Sequence, residues 1–159
     1  FYPTYLVEVK SLSPSVASVV YGSFFAVGIV VQPTAGAAMD RFGIKPCLYA
    51  LGTIIVLALT AVPFVDGFVP IMLLTVGLSS ILGFTPVTHT YLSNHLPSDM
   101  KGRGLGLLRT GFMTVSGAGP LVVGSVADRA PFDYVFYLLA GVCLCALLLV
   151  FAIPSGERE

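Results

Sequence analysis

Charge is what this sequence has least of. Only 10% of its 159 residues are Asp, Glu, Lys or Arg, against about 25% in a soluble domain. The 8 basic and 8 acidic residues cancel, and no basic cluster stands out, which argues against nucleic-acid binding. Cysteine is scarce as well. The 3 present, Cys47, Cys143 and Cys145, sit inside apolar runs and match neither a zinc spacing nor a disulfide framework. They read as small hydrophobes facing lipid or neighbouring helices. No metal and no cofactor is expected. There is no low-complexity tract and no signal-peptide cleavage pattern. Apolar residues, by contrast, make up 56% of the chain, and its mean hydropathy is +0.94. A soluble globule this small exposes most of its residues at least partly and could not hydrate such a composition.

The charges are also unevenly spaced. None falls in 11–39, 46–65, 67–98, 110–127 or 134–156. Each gap reaches or approaches the ~20 residues that carry a helix across a ~30 Å hydrocarbon core. Lipid satisfies no backbone group, so a span must be a helix or part of a closed barrel. Barrel strands alternate, and stretches such as Ile54 to Leu59 and Leu144 to Val150 do not. The reading is an all-α integral membrane protein, an antiparallel helix bundle with spans at about 14–37, 46–65, 68–92, 104–127 and 132–153. Residues 1–6 read as the last turns of a helix that starts upstream, and residue 1 is Phe rather than Met, so a fragment is expected. The connections are short, Asp66-Gly67 and Asp128 to Pro131 among them, which makes successive helices antiparallel neighbours.

The positive-inside rule orients the bundle. Arg41, Lys45, Lys101, Arg103, Arg109 and Arg158 fall on one side; Lys10 and Arg129 fall on the other. The 40–45 loop, the 93–104 loop and the 154–159 tail are therefore expected in the cytoplasm, with the protein in the plasma membrane.

One turn is more specific than the rest. Gly36 to Pro46 holds an Asp-Arg pair, Asp40 and Arg41, followed by Gly43 and Lys45. Gly36 would let the span end close against another helix, and Gly43 would allow a positive φ. Asp40 is the unusual member, because positive-inside asks for no acid there. It could pair with Arg41 or meet the N-terminus of a neighbouring helix. The alternative is a plain charged turn.

G-x-x-x-D-R-x-G-x-K, here Gly36, Asp40, Arg41, Gly43 and Lys45, resembles the signature between the second and third helices of each half of major facilitator superfamily transporters. Ile44 stands where that family usually has a second basic residue. The resemblance implies a cytoplasmic latch in which Asp40 and Arg41 engage the opposite half while the transporter is open outward. A second stretch agrees. Pro97, Arg103 and Gly104 precede a span containing Gly117, Gly119, Pro120 and Gly124, which looks like the fifth or eleventh helix of that family. Ser98 or Asp99 is a plausible N-cap. Pro120 would kink this helix, and the three glycines would permit close packing beside a hinge or a plain packing kink. Gly102, Gly104 and Gly106 fail the phosphate-loop spacing, since Arg109 takes the third position. Phe68 to Leu92 lacks the Arg of a first-half fourth helix, and Val123-Gly124 replaces Gly-Gly; both favour the C-terminal half. The resemblance implies a secondary transporter of a small solute by alternating access, a small-molecule substrate, a bilayer setting and a missing N-terminal half as partner.

Ionisable and amide side chains within the spans are few. Tyr21, Gln32, Thr85, His89, Arg109 and Thr114 are the candidates for a substrate pathway. Arg109 could snorkel as an interfacial anchor, and His89 could titrate near neutral pH. No Asp or Glu lies within a span beyond Asp133 at the very start of the last, so a coupling carboxylate would have to lie elsewhere. This suits a neutral or amphiphilic solute, or one whose charge the other half holds. No catalytic set is found: His89 and His95 are six apart and have no acidic pair beside them. The alternatives are a membrane enzyme or assembly subunit, and a half-sized transporter acting as a dimer.

Overall fold

The computed structural model describes residues 1–97 and 101–151. The tail at 154–159 with Arg158, the N-cap at Ser98 or Asp99, and the side chains of His95 and Lys101 lie outside the described residues. The described residues form helices and turns with no strand, and five helical stretches are long and apolar enough to cross a membrane. The chain is an all-α membrane bundle, as its composition requires.

A short α1 (Tyr2–Glu8) leads into α2 (Pro14–Phe42). Ser13 caps α2, its hydroxyl accepting from the Val16 amide at 3.4 Å, and Pro14 takes the first helical position, where no N–H is needed. At 29 residues α2 is about 43 Å long, more than a ~30 Å core requires. It runs five residues past the expected end at 37. The loop expected at 40–45 shrinks to Gly43 alone, and α3 (Ile44–Ala61) begins at the next residue. Gly43 makes this possible with φ +87° and ψ 171°, a backbone conformation that only glycine adopts readily.

After a 3-10 turn at Val62–Phe64, Gly67 (φ +91°) reverses the chain into α4 (Phe68–Leu78). The span expected as one helix over 68–92 is then interrupted. A 3-10 segment, Ser79–Gly83, separates α4 from α5 (Phe84–His95). Pro86 explains the break. In an uninterrupted α-helix its missing N–H would face the Leu82 carbonyl, and its ring would clash there. The last two helices, α6 (Lys101–Ala127) and α7 (Asp133–Val150), are joined by the short 128–132 connection.

Two apolar clusters hold the bundle, one at each end. Tyr2, Tyr5 and Leu6 of α1 pack with Ala17, Val20, Ile55, Ala58, Ile71 and Phe136. At the far end Ala35, Cys47, Leu48, Val87 and Val150 come together. Antiparallel succession brings the end of α2, the start of α3 and the end of α7 to that second cluster. The main seam joins α3 to α7. It is tight because Gly52 has no Cβ: a methyl there would collide with Leu147. Gly28 does the same for Leu82. Elsewhere the surface is greasy, with Ile29 75%, Val115 75% and Leu121 76% exposed. Such a surface suits hydrocarbon and not water.

Candidate functional site

The Gly36 to Lys45 turn lies at the end of the bundle held by the Ala35–Val150 cluster. Asp40 and Arg41 sit in the last turn of α2, both exposed, and Lys45 opens α3. Arg41 suits the negative end of its helix dipole, and its guanidinium carbon lies 5.4 Å from the Phe42 ring centroid. Asp40 and Lys45 are placed against the dipole preference: an acid at a C-terminus, a base at an N-terminus. Helix stability therefore explains Arg41 but neither of the other two. Gly43 has the positive φ expected of it. Gly36 does not make the expected close approach. Nothing lies within 4 Å of where its Cβ would stand, because the tight contacts of α2 fall earlier, at Gly28.

The expected packing at Gly117, Gly119 and Gly124 is likewise absent within the described bundle. Each has open space at the Cβ position. The reason is position: among the described residues α6 packs mainly against α5 and α7, with no buried residue in its apolar window. The helix continues through Pro120 as one element.

The six polar candidates are all exposed. Thr85 and His89 lie one turn apart on α5, on the side away from buried Val87. Tyr21 and Gln32 lie eleven residues apart on α2, within about 20° of each other around the helix. Tyr21 stacks on Phe24 and meets Phe25 edge-on, with ring centroids 6.3 and 5.2 Å away. Arg109 and Thr114 are about 140° apart around α6 and do not share a face. Thr114 instead lies beside Thr110. Their hydroxyls donate to the Thr110 and Gly106 carbonyls at 2.9 and 3.0 Å, bonding their own helix. The helix that carries Thr85 and His89, α5, packs against both α2 and α6, which carry the other candidates.

Sequence reasoning missed a polar network at the opposite end. The Lys10 ammonium donates to the Pro63 carbonyl at 2.9 Å and pairs with Asp66 at 3.0 Å. Buried Tyr5 donates to Asp133 at 2.7 Å, and Tyr2 bonds Thr75. The network ties α1 to the α3–α4 turn, to α4 and to the start of α7. A signal existed: Lys10, Asp66 and Asp133 all flank spans on one side of the membrane. The helix break had one too, in Gly83 followed by Pro86.

Comparison with known proteins adds the following. The family model described as Major Facilitator Superfamily matches residues 1–159. The uncharacterized MFS-type transporter YuxJ of Bacillus subtilis is 33% identical over 131 residues, 82% of this chain and 33% of that protein. Multidrug resistance protein MdtG of Dickeya zeae is 31% identical over 137 residues, 85% of this chain and 33% of its own length. The multi-drug resistance efflux pump PmrA of Streptococcus pneumoniae is 25% identical over 118 residues, 74% of this chain and 30% of the pump. The chain thus spans about a third of the length of these relatives. No solved structure matches it.

Proposed function

The chain belongs to the major facilitator superfamily, a family of membrane transporters, and from that premise we propose that it forms the C-terminal half of a secondary transporter. In this reading the transporter moves a small neutral or amphiphilic solute across the cell membrane by alternating access, and the end bearing Gly43 faces the cytoplasm. The solute would sit between this half and a second one, against the exposed faces of α2, α5 and α6 that carry Tyr21, Gln32, Thr85, His89, Arg109 and Thr114. Gly36, Asp40, Arg41, Gly43 and Lys45 would form the cytoplasmic latch, and Gly117, Gly119, Pro120 and Gly124 the flexible face of α6.

One observation carries this reading. All six candidate residues are exposed rather than packed in the bundle's own core, and none is a carboxylate. Polar groups aimed at hydrocarbon are costly, so they call for a polar surface opposite. Aromatic, hydroxyl and imidazole groups suit a solute held by shape and weak polar contacts. The drug-efflux names of two relatives agree with an amphiphilic solute.

The test is accumulation of an amphiphilic fluorescent dye in cells. The full-length protein is expected to lower it, and the 159-residue chain alone, lacking the second wall, is expected to leave it unchanged. Dye export by the isolated chain, or none by the full-length protein inserted at normal levels, would overturn the proposal.

A further inference from the structure

A cluster of three rings stands on α2, one helical turn wide. Phe25, 51% exposed, is edge-on to Tyr21 and to Phe24, at 84° and 87°, with ring centroids 5.2 and 5.1 Å away. Tyr21 and Phe24 are parallel to within 9°, with centroids 6.3 Å apart. Phe24 is half-buried and packs on the core cluster at that end. Beside it the Ser23 hydroxyl donates to the Met72 sulfur at 3.1 Å, tying α2 to α4. The cluster is therefore fixed from behind, while Tyr21 and Phe25 stay open in front.

Contact with lipid requires no such arrangement; the aliphatic Ile29 and Val30, one turn on, meet hydrocarbon singly. Edge-on contacts hold each ring in one orientation, so a flat ring can dock without ordering them first. The same strip of α2 has a polar end. Gln32 lies two turns beyond Phe25, about 10 Å along the axis and within about 20° around it. Neither the Gln32 amide nor the Tyr21 hydroxyl has a hydrogen-bond partner among the described residues. An unmet amide in hydrocarbon is costly, so it calls for a polar group brought from outside the bundle. Across from it, Gly28 meets Leu82 and Gly83 meets Ala35, which puts Thr85 of α5 within about a turn of Gln32 in depth.

We infer that the transported solute is a flat aromatic amphiphile, with its ring against Tyr21 and Phe25 and its hydrogen-bonding end, about 10 Å away, at Gln32. This rests on the transporter reading above and narrows its solute to one class. Phe25, which is not among the polar candidates, then sets specificity. Gln32 serves a solute that donates or accepts, because an amide does both. An aliphatic solute of the same size fills the same space and forfeits the ring contacts.

The test is transport by the full-length protein in energised everted vesicles. It uses two neutral probes, a naphthyl-pentanamide and its decahydronaphthyl counterpart, which differ only in the aromatic ring system. The naphthyl probe is expected to show a KM about tenfold lower. Phe25→Leu should cut that preference about fivefold, equivalent to ~1 kcal/mol for one aromatic contact. Phe25→Tyr, which keeps a ring, should retain it, as should Phe64→Leu, at an exposed ring beside Tyr137 of α7. Gln32→Leu should raise KM for both probes, since both carry the amide. Equal KM values in the parent, or a preference that survives Phe25→Leu, would overturn the inference and leave the transporter reading standing. Equal losses for both probes in Phe25→Leu would also overturn it, because a ring that only packs against the second half gives that result. If neither probe moves while the amphiphilic dye is exported, the solute class is wrong; if the dye is not exported either, both readings fall.

Discussion

Gly43 is the residue on which the close pairing of α2 and α3 depends, and its replacement has a calculable cost. It joins the two helices alone, at φ +87° and ψ 171°. A side chain in that region costs about 1–3 kcal/mol. Replacing glycine also stiffens the unfolded chain, which returns ~0.4–1 kcal/mol. Gly43→Ala should therefore destabilise the protein by about 1–2 kcal/mol, roughly five- to thirtyfold in the folded-to-unfolded ratio. Gly43→Asn should do no better. Asparagine tolerates the left-handed helical region, and the ψ of Gly43 lies far outside it. Gly36→Ala is the control within the same turn. It sits mid-helix with open space at its Cβ position, so it should be neutral or stabilising by ~0.5–1 kcal/mol. The assay is denaturant unfolding of the full-length protein in mild detergent. A Gly43→Ala variant as stable as the parent would refute the reasoning, as would rescue by asparagine.

Further outcomes are expected at named contacts. Gly52→Ala drives a methyl into Leu147 and should cost about 1–3 kcal/mol, part of which Leu147→Ala in the same chain recovers; additive losses in a double-mutant cycle would contradict the seam. Tyr5→Phe removes the buried donor to Asp133 and should cost about 1–3 kcal/mol, whereas Asp66→Asn, at a side chain 83% exposed, should cost under ~1 kcal/mol by the same unfolding measurement. Pro86→Ala restores the N–H a continuous helix needs and should slow amide hydrogen exchange across 79–86; unchanged exchange would mean that proline does not cause the break. Arg109→Ala should leave export of a neutral amphiphilic dye intact, and loss of export at normal protein level would point to an anionic substrate.

Much of this architecture was legible because charge and span length are one-dimensional. Lys10, Asp40, Asp66, Asp128 and Asp133 flank the spans and could be read directly as their ends. The single-residue turn was partly legible: Gly43 announced the positive φ, but nothing in 38–42 announced that α2 would keep its helix past the hydrocarbon. The break at Ser79–Gly83 was written in Pro86, yet the apolar run from Phe68 to Leu92 masked it, since hydropathy counts residues and is blind to a missing N–H. Side-chain partners were the least legible. Tyr5 and Asp133 are 128 positions apart, and only the packing of α1 against α7 brings them together. For the candidate pathway, sequence placed Thr85 and His89 on one face correctly by helical spacing. The same arithmetic, applied to Arg109 and Thr114, separates them.

The glycines divide into two sets, and the division bears on what the bundle lacks. Gly28, Gly52 and Gly83 each sit where a methyl would press on a neighbour, so the fold itself requires them. Gly36, Gly117, Gly119 and Gly124 lie in helices with open space around them. Each weakens its helix by about 1 kcal/mol relative to alanine, with no contact in the described bundle to offset it. Asp40 belongs with them, since it opposes the dipole of the helix that carries it. In a membrane, small residues earn such a cost where another helix packs against them, and misplaced charges where an opposite charge or helix end comes close. These residues lie on α2 and α6. A second half docked against α2 and α6 would supply what they lack, which is the arrangement proposed for the whole transporter. If that docking is real, Gly117→Leu and Gly124→Leu should leave this half as stable as before and abolish transport by the full-length protein. Full transport by both variants would remove α6 from the interface.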